Sequence, residues 1–140
     1  MSAASLAAAD LDFLHRPLYG FLSTADGPRP PQPRPVWFEA TEAGDVALFS
    51  APDTPRVRRL RRDPRASLVV TAPVGEHERW VSVAGSTTIA VDGADDLVER
   101  LAARYWDLSD PVRADDLAGM LREEWVRIVI HPETVRRYAM

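Results

Sequence analysis

Apolar and polar residues alternate along much of this chain in short runs punctuated by Pro, Gly and Asp. Residues 19–25 (YGFLSTA), 36–41 (VWFEAT), 46–50 (VALFS), 66–72 (ASLVVTA), 79–91 (RWVSVAGSTTIAV) and 125–130 (WVRIVI) are alternating or continuously apolar and β-branched, and each reads as a strand. Between them Asp26-Gly27-Pro28, Glu42-Ala43-Gly44-Asp45 and Asp92-Gly93 are turn signals, and the prolines at 28, 30, 31, 33 and 35 stiffen an extended loop. Gly85 interrupts the longest run and predicts a bulge or bend of the kind a closed sheet needs. His131-Pro132-Glu133 reads as a turn that ends the last strand.

Helical patterning is confined to a few places. Residues 5–16, with Leu6, Phe13 and Leu14, predict a short helix stopped by Pro17; residues 94–106 put Leu97, Leu101 and Tyr105 on one face; residues 114–122 follow. A further helix starts at Thr54-Pro55, with Thr as N-cap and Pro at N1, and stops at Asp63-Pro64, because a residue before Pro is pushed out of the α region. Six strands with few helices predict one domain over residues 1–140, mainly β with peripheral helices, closed as an antiparallel barrel instead of a parallel α/β sheet.

Charge sharpens this picture at the Thr54 helix. Six of the seventeen basic residues lie between Arg56 and Arg65; against Asp63 they give that segment +5, which leaves −9 for the rest of a chain whose net charge is −4. A helix N-terminus offers free N–H groups and a partial positive charge, which suit a phosphate or carboxylate. With the hydroxyls of Ser50 and Thr54 and the guanidinium of Arg56 beside it, a phosphate there takes three or more hydrogen bonds, worth about 1.5–3 kcal/mol each when charge-assisted. The competing reading makes Val57 and Leu60 the buried stripe of an amphipathic helix whose other arginines are merely solvated.

Composition excludes several chemistries. The chain has no Cys and no Lys, so disulfides, thiolate metal sites, cysteine nucleophiles and lysine Schiff bases are ruled out. His15, His77 and His131 have no metal-ligand spacing, and no metal is expected; Asp95-Asp96, Asp115-Asp116 and Glu123-Glu124 read as helix-end and solvent charges. No G-x-S-x-G, P-loop or G-x-G-x-x-G motif occurs. An isoelectric point near 5.3 argues against general nucleic-acid binding. No apolar run approaches a membrane span and the first residues lack a basic flank, so a cytoplasmic protein with no membrane partner is expected. Trp37 and Trp80, on predicted strands, are candidate walls for an aromatic ligand, whereas Trp106 and Trp125 read as core or interface packing.

Four segments, Gly20-Phe21-Leu22-Ser23-Thr24, Pro35-Val36-Trp37-Phe38, the run from Arg56 through Leu60 and Asp63-Pro64 to Ser67, and Trp80-Val81-Ser82-Val83-Ala84-Gly85, together resemble the pyridoxamine 5′-phosphate oxidase-like family of flavin-binding split barrels, in particular its small members that use FMN or the deazaflavin F420. The resemblance implies a homodimer of six-stranded split barrels with a cofactor in each groove between the subunits. It implies that Ser50, Thr54 and Arg56 hold the cofactor phosphate, that Pro35, Val36 and Trp37 line the ring, and that Arg59 and Trp80 are further candidate contacts; Arg59 stands where such proteins often have Asn. The activity implied is hydride transfer between cofactor and a small conjugated substrate, with F420 ahead of FMN because the extra arginines suit its anionic tail. The alternative is a carrier of flavin, F420 or haem that performs no turnover. No catalytic side chain is identifiable, since the cofactor carries the chemistry in either case.

Overall fold

Seven strands, not six, form one antiparallel sheet in the computed structural model, which describes residues 5–140. Along the chain run α1 (Ala8–Leu14), β1 (Gly20–Thr24), β2 (Arg34–Val36), β3 (Glu39–Ala40), β4 (Val46–Ser50), α2 (Pro55–Arg62), β5 (Arg65–Thr71), β6 (Arg79–Ala90), α3 (Ala94–Tyr105), α4 (Pro111–Leu121) and β7 (Val126–Ala139). In space the strands stand in the order β2-β1-β5-β6-β7-β4-β3. The additional strand arises because residues 36–41 change partners midway: β2 pairs with β1, and β3 pairs with β4 at the opposite edge. Only Trp37 and Phe38 separate those edges, so they stand at most roughly 11 Å apart, three Cα steps of about 3.8 Å. The sheet therefore curls back on itself into a barrel split at this seam.

Alternation sets what fills the barrel. Leu22, Phe38, Leu48, Leu68, Val70, Val83, Ile128 and Ile130 point inward, and α1 adds Phe13 and Leu14 while α2 adds Val57 and Leu60. Burying such a side chain is worth about 1.5–3 kcal/mol, so the short helix α2 is held in place mainly by its two apolar residues and by its cap. A second, smaller core lies on the outer face, where Leu97 and Leu101 of α3 pack on Ala47 and Val129, with Trp37, Phe49 and Tyr105 leaning against them.

The last strand corrects the sequence reading more than any other element. It runs through His131-Pro132-Glu133 instead of turning there, because a bulge accommodates the proline: Gly85 faces Pro132, Ala84 faces Thr134, and Glu133 is the extra residue between them. The Glu133 carboxylate turns back to accept the Ser86 N–H at 3.0 Å, so this donor is satisfied at the bulge. The bulge expected at Gly85 is thus present. No helix among the described residues is long and apolar enough to cross a membrane.

Charged groups pin the N-terminal helix to the barrel. Arg104 donates to the carbonyls of Leu14 and His15 at the end of α1 and to that of Arg16 just beyond it. Asp10, 2% exposed, accepts two bonds from Arg137 of β7 at 2.9 and 2.7 Å and one from the Ala7 N–H. The hydrogen bonds from Arg137 lead in holding the Asp10 carboxyl below its ordinary value of 3.8. A carboxylate lowered on folding contributes stability that is complete above that ordinary value and is lost as pH falls through the folded-state value. Asp10→Asn is therefore expected to cost about 2–3 kcal/mol at neutral pH, less than a fully buried pair because Arg137 is itself 39% exposed. Urea titrations from pH 7 to pH 3 check it: the gap between variant and parent should close as the pH drops below about 4.

Candidate functional site

The corner between β4 and α2 is built by its sequence as expected. Thr54 has extended backbone angles, its hydroxyl accepts the Val57 N–H at 3.3 Å, and Pro55 occupies the first helical position. Ser50, 5% exposed, holds the Thr54 hydroxyl at 3.0 Å and so fixes the capping rotamer. Arg56 follows in the first turn, half-buried, and makes no ion pair among the described residues, in contrast to Arg58, which bonds the Asp53 carbonyl. Burial first, then the charges of Arg59 and Arg34, push the Arg56 guanidinium below its ordinary pKa. A cation desolvated among cations and lacking a counter-charge is a site prepared for an anion.

Arg56 opens onto a cavity of about 320 Å3 that it shares with Pro35, Val36 and Trp37, the residues expected to line a ring. The remaining walls are Phe49, Trp106 and Met120. Trp37 is locked in a stack: its ring lies 5.1 Å from Tyr105 at 8°, Tyr105 lies 5.7 Å from Tyr19 at 5°, and Trp106 stands edge-on to Trp37 at 4.8 Å. The Tyr105 hydroxyl donates to the Leu18 carbonyl at 2.6 Å and accepts the Phe38 N–H at 3.3 Å, which ties the stack to both sides of the barrel seam. Each such ring pair is worth about 0.5–1.5 kcal/mol beyond its burial, so Trp37 presents a fixed surface. The arrangement offers an open aromatic slot with one cation, Arg56, in its lining.

Two expected contacts stand elsewhere. Arg59 Nε donates to the buried Thr24 hydroxyl at 2.9 Å, and its side chain lines a different groove of about 450 Å3 with Arg29, Arg58 and Arg62. Trp80 stacks on Tyr138 at 6.3 Å and 15°, on a cavity with the 71–79 turn, and within one chain it does not meet Arg56. Four site residues escaped the sequence reading. Arg34 looked like part of the proline loop, yet it opens β2 and its charge reaches Arg56; the available signal was its position two residues before the inward-facing Val36. Phe49 reaches the cavity from β4, one residue before Ser50, whereas Trp106 and Met120 reach it from the end of α3 and from α4, which no local pattern discloses.

The comparisons with known proteins agree with this fold. A family model for pyridoxamine 5′-phosphate oxidase matches residues 6–137, whereas no curated protein sequence matches the chain. Among solved structures, the chain is similar to a conserved hypothetical protein of Mycobacterium tuberculosis at 20% identity and TM-score 0.73, covering 98% of this chain and 88% of that one. It is also similar to an F420 reductase at 25% identity and TM-score 0.69, with 89% and 94% covered. An FAD-binding protein of Mesorhizobium loti follows at 19% identity and TM-score 0.63, with 100% and 99% covered. Since the family model spans nearly every residue that builds the barrel and its arginine corner, the chain belongs to the pyridoxamine 5′-phosphate oxidase family.

Proposed function

We propose that this chain is a flavin-type oxidoreductase that binds F420 or FMN with its phosphate at Arg56 and serves a small conjugated substrate. The observation that carries the reading is the half-buried Arg56, without an anionic partner among the described residues, in the lining of an aromatic slot. Membership in an oxidase family and similarity to a protein described as an F420 reductase support the class.

The residues present fit such a cofactor. Arg56 would grip the phosphate through its guanidinium and its own N–H, with Arg34 adding charge; the Ser50 and Thr54 hydroxyls bond each other and Thr54 takes the Val57 N–H, so they shape the corner without lining the slot. Pro35, Val36 and Trp37 would orient the ring, and Phe49 and Trp106 would exclude water from it. When bound, the cofactor supplies the hydride donor or acceptor that no side chain here can provide. Among the described residues that line the slot Arg56 is the one ionisable group, so these side chains would contribute binding, orientation and dryness. The separate groove of Arg29, Arg58, Arg59 and Arg62 also holds Asp26, which pairs with Arg29, while Arg58 pairs with Asp53; the charge left on Arg59 and Arg62 favours F420 over FMN, whose anionic part is no longer than one phosphate.

A homodimer belongs to the same proposal. On the outer face of the sheet Pro35, Phe21, Val69 and Ser82 stand in one row of facing residues, with Phe21 39% exposed and the stacked Trp80 and Tyr138 beside them. A second copy on this face would close the open side of the slot and bring Trp80 to the partner's groove.

The test is an absorbance spectrum after incubation with FMN and with F420 followed by desalting. Retention of either chromophore is expected, with F420 held more tightly. Loaded protein supplied with a reductant and a panel of quinones and enones should then turn over. Retention without turnover would make the chain a carrier, and loss of both chromophores on desalting would overturn the reading.

A further inference from the structure

The aromatic slot has one wall unlike the others. Pro35 and Val36 belong to the sheet, Trp37 is clamped between Tyr105 and Trp106, and Phe49 is braced edge-on by Trp125 at 5.0 Å. Each of these is fixed by a second ring or by the barrel. Met120 is fixed by neither. It lies on α4, an eleven-residue helix with no buried residue, so the helix adds little to the core. Two contacts nevertheless hold α4 over the slot: the Trp125 indole N–H donates to the Met120 carbonyl at 2.7 Å, and the Arg113 guanidinium lies 4.4 Å over the Trp106 ring. The helix thus rests on α3 and on these two tethers, and the Met120 side chain is left at the slot with no ring or strand bracing it.

From this we infer that Met120 is the specificity-determining residue of the site: it sets how many fused rings the slot accepts, the preferred ligand being a phosphate-bearing planar molecule of more than one ring. The inference rests on the slot being the cofactor-ring site proposed above. A cavity of about 320 Å3 is at the small end of those that hold small molecules, so one side chain's volume decides what enters. Methionine, unbranched and polarisable, conforms to a flat conjugated face and makes favourable sulfur–aromatic contacts. The other walls cannot adjust without disturbing the stack or the barrel.

The experiment compares FMN, with three fused rings, and pyridoxine 5′-phosphate, with one. Both carry the phosphate, and the absence of lysine removes side-chain amine chemistry from the comparison. Dissociation constants are measured by equilibrium dialysis for the parent, Met120→Trp and the volume-conserving Met120→Leu. Met120→Trp is expected to weaken FMN by about tenfold or more, the scale of an overpacked site, while pyridoxine 5′-phosphate changes less than about threefold. Met120→Leu should keep the parent's ratio. Circular dichroism confirms that the variants fold, and Met120→Phe, read in the same way, replaces Met120→Trp should that one misfold. An FMN-to-pyridoxine-phosphate ratio that stays at the parent's value in the filled variant overturns this inference alone. A parent protein that binds neither FMN nor F420 overturns it together with the reading beneath it; in one that binds F420 alone, F420, whose deazaflavin also has three fused rings, takes the place of FMN in the same comparison.

Discussion

Gly85→Ala is expected to cost at least about 3 kcal/mol of folding stability, the upper end of what an added methyl does in a packed site. The cause is backbone against backbone. A Cβ at position 85 would sit inside the contact surface of the His131 carbonyl oxygen, 2.9 Å from its carbon and 3.1 Å from the Glu133 nitrogen. Side chains can swing away, but these atoms belong to the bulge that carries β7 past Pro132, and moving them shifts the register between β6 and β7. That pairing joins the two halves of the sheet, since β5 leans on β6 and β4 on β7. Gly119→Ala supplies the contrast. There the added carbon meets only the Arg122 guanidinium at 3.6 Å, inside α4, and the change should be neutral or stabilising by up to about 1 kcal/mol. Urea unfolding of the two variants beside the parent reads both; equal midpoints for Gly85→Ala and parent would show that the bulge does not depend on the missing side chain.

Arg56→Ala should weaken FMN binding by about 10- to 100-fold, the worth of one charge-assisted hydrogen bond at roughly 1.5–3 kcal/mol. Riboflavin, which has the ring without the phosphate, should bind parent and variant alike. The fold should not suffer, because Arg56 has no ion partner among the described residues to strand and its removal relieves repulsion from Arg59 and Arg34. The contrast between phosphorylated and unphosphorylated ligand separates anion recognition from general damage. Unchanged FMN affinity in the variant would place the phosphate elsewhere.

Much of this molecule is readable one residue at a time. The strand at 46–50 and the helix start at Thr54-Pro55 appear where expected, because alternation and capping are local physics. The same cap logic applies at Asp110-Pro111, where the Asp110 carboxylate accepts the Val112 N–H at 2.9 Å; it starts α4 three residues before the 114 boundary inferred from apolar spacing. What resisted was partner choice. VWFEAT alternates as one strand should, and nothing in six residues reveals that its halves pair at opposite edges of the sheet. Pro132 looked like a terminator because the strand that excuses it lies far upstream at Gly85. For the site, the anion corner is a continuous segment and was legible, whereas the slot brings Trp37 together with Trp106 and Met120 through the closure of the whole sheet.

The seam of the barrel gives the slot a mechanical meaning. Trp37, which faces the ring site, is one of the two residues that stitch the sheet's free edges together. Since Tyr105 and Trp106 already clamp that indole, the stitch is set before any flat molecule would arrive. Closing the barrel and finishing that wall are one event, so the ordering of the surface is met in folding and not at binding.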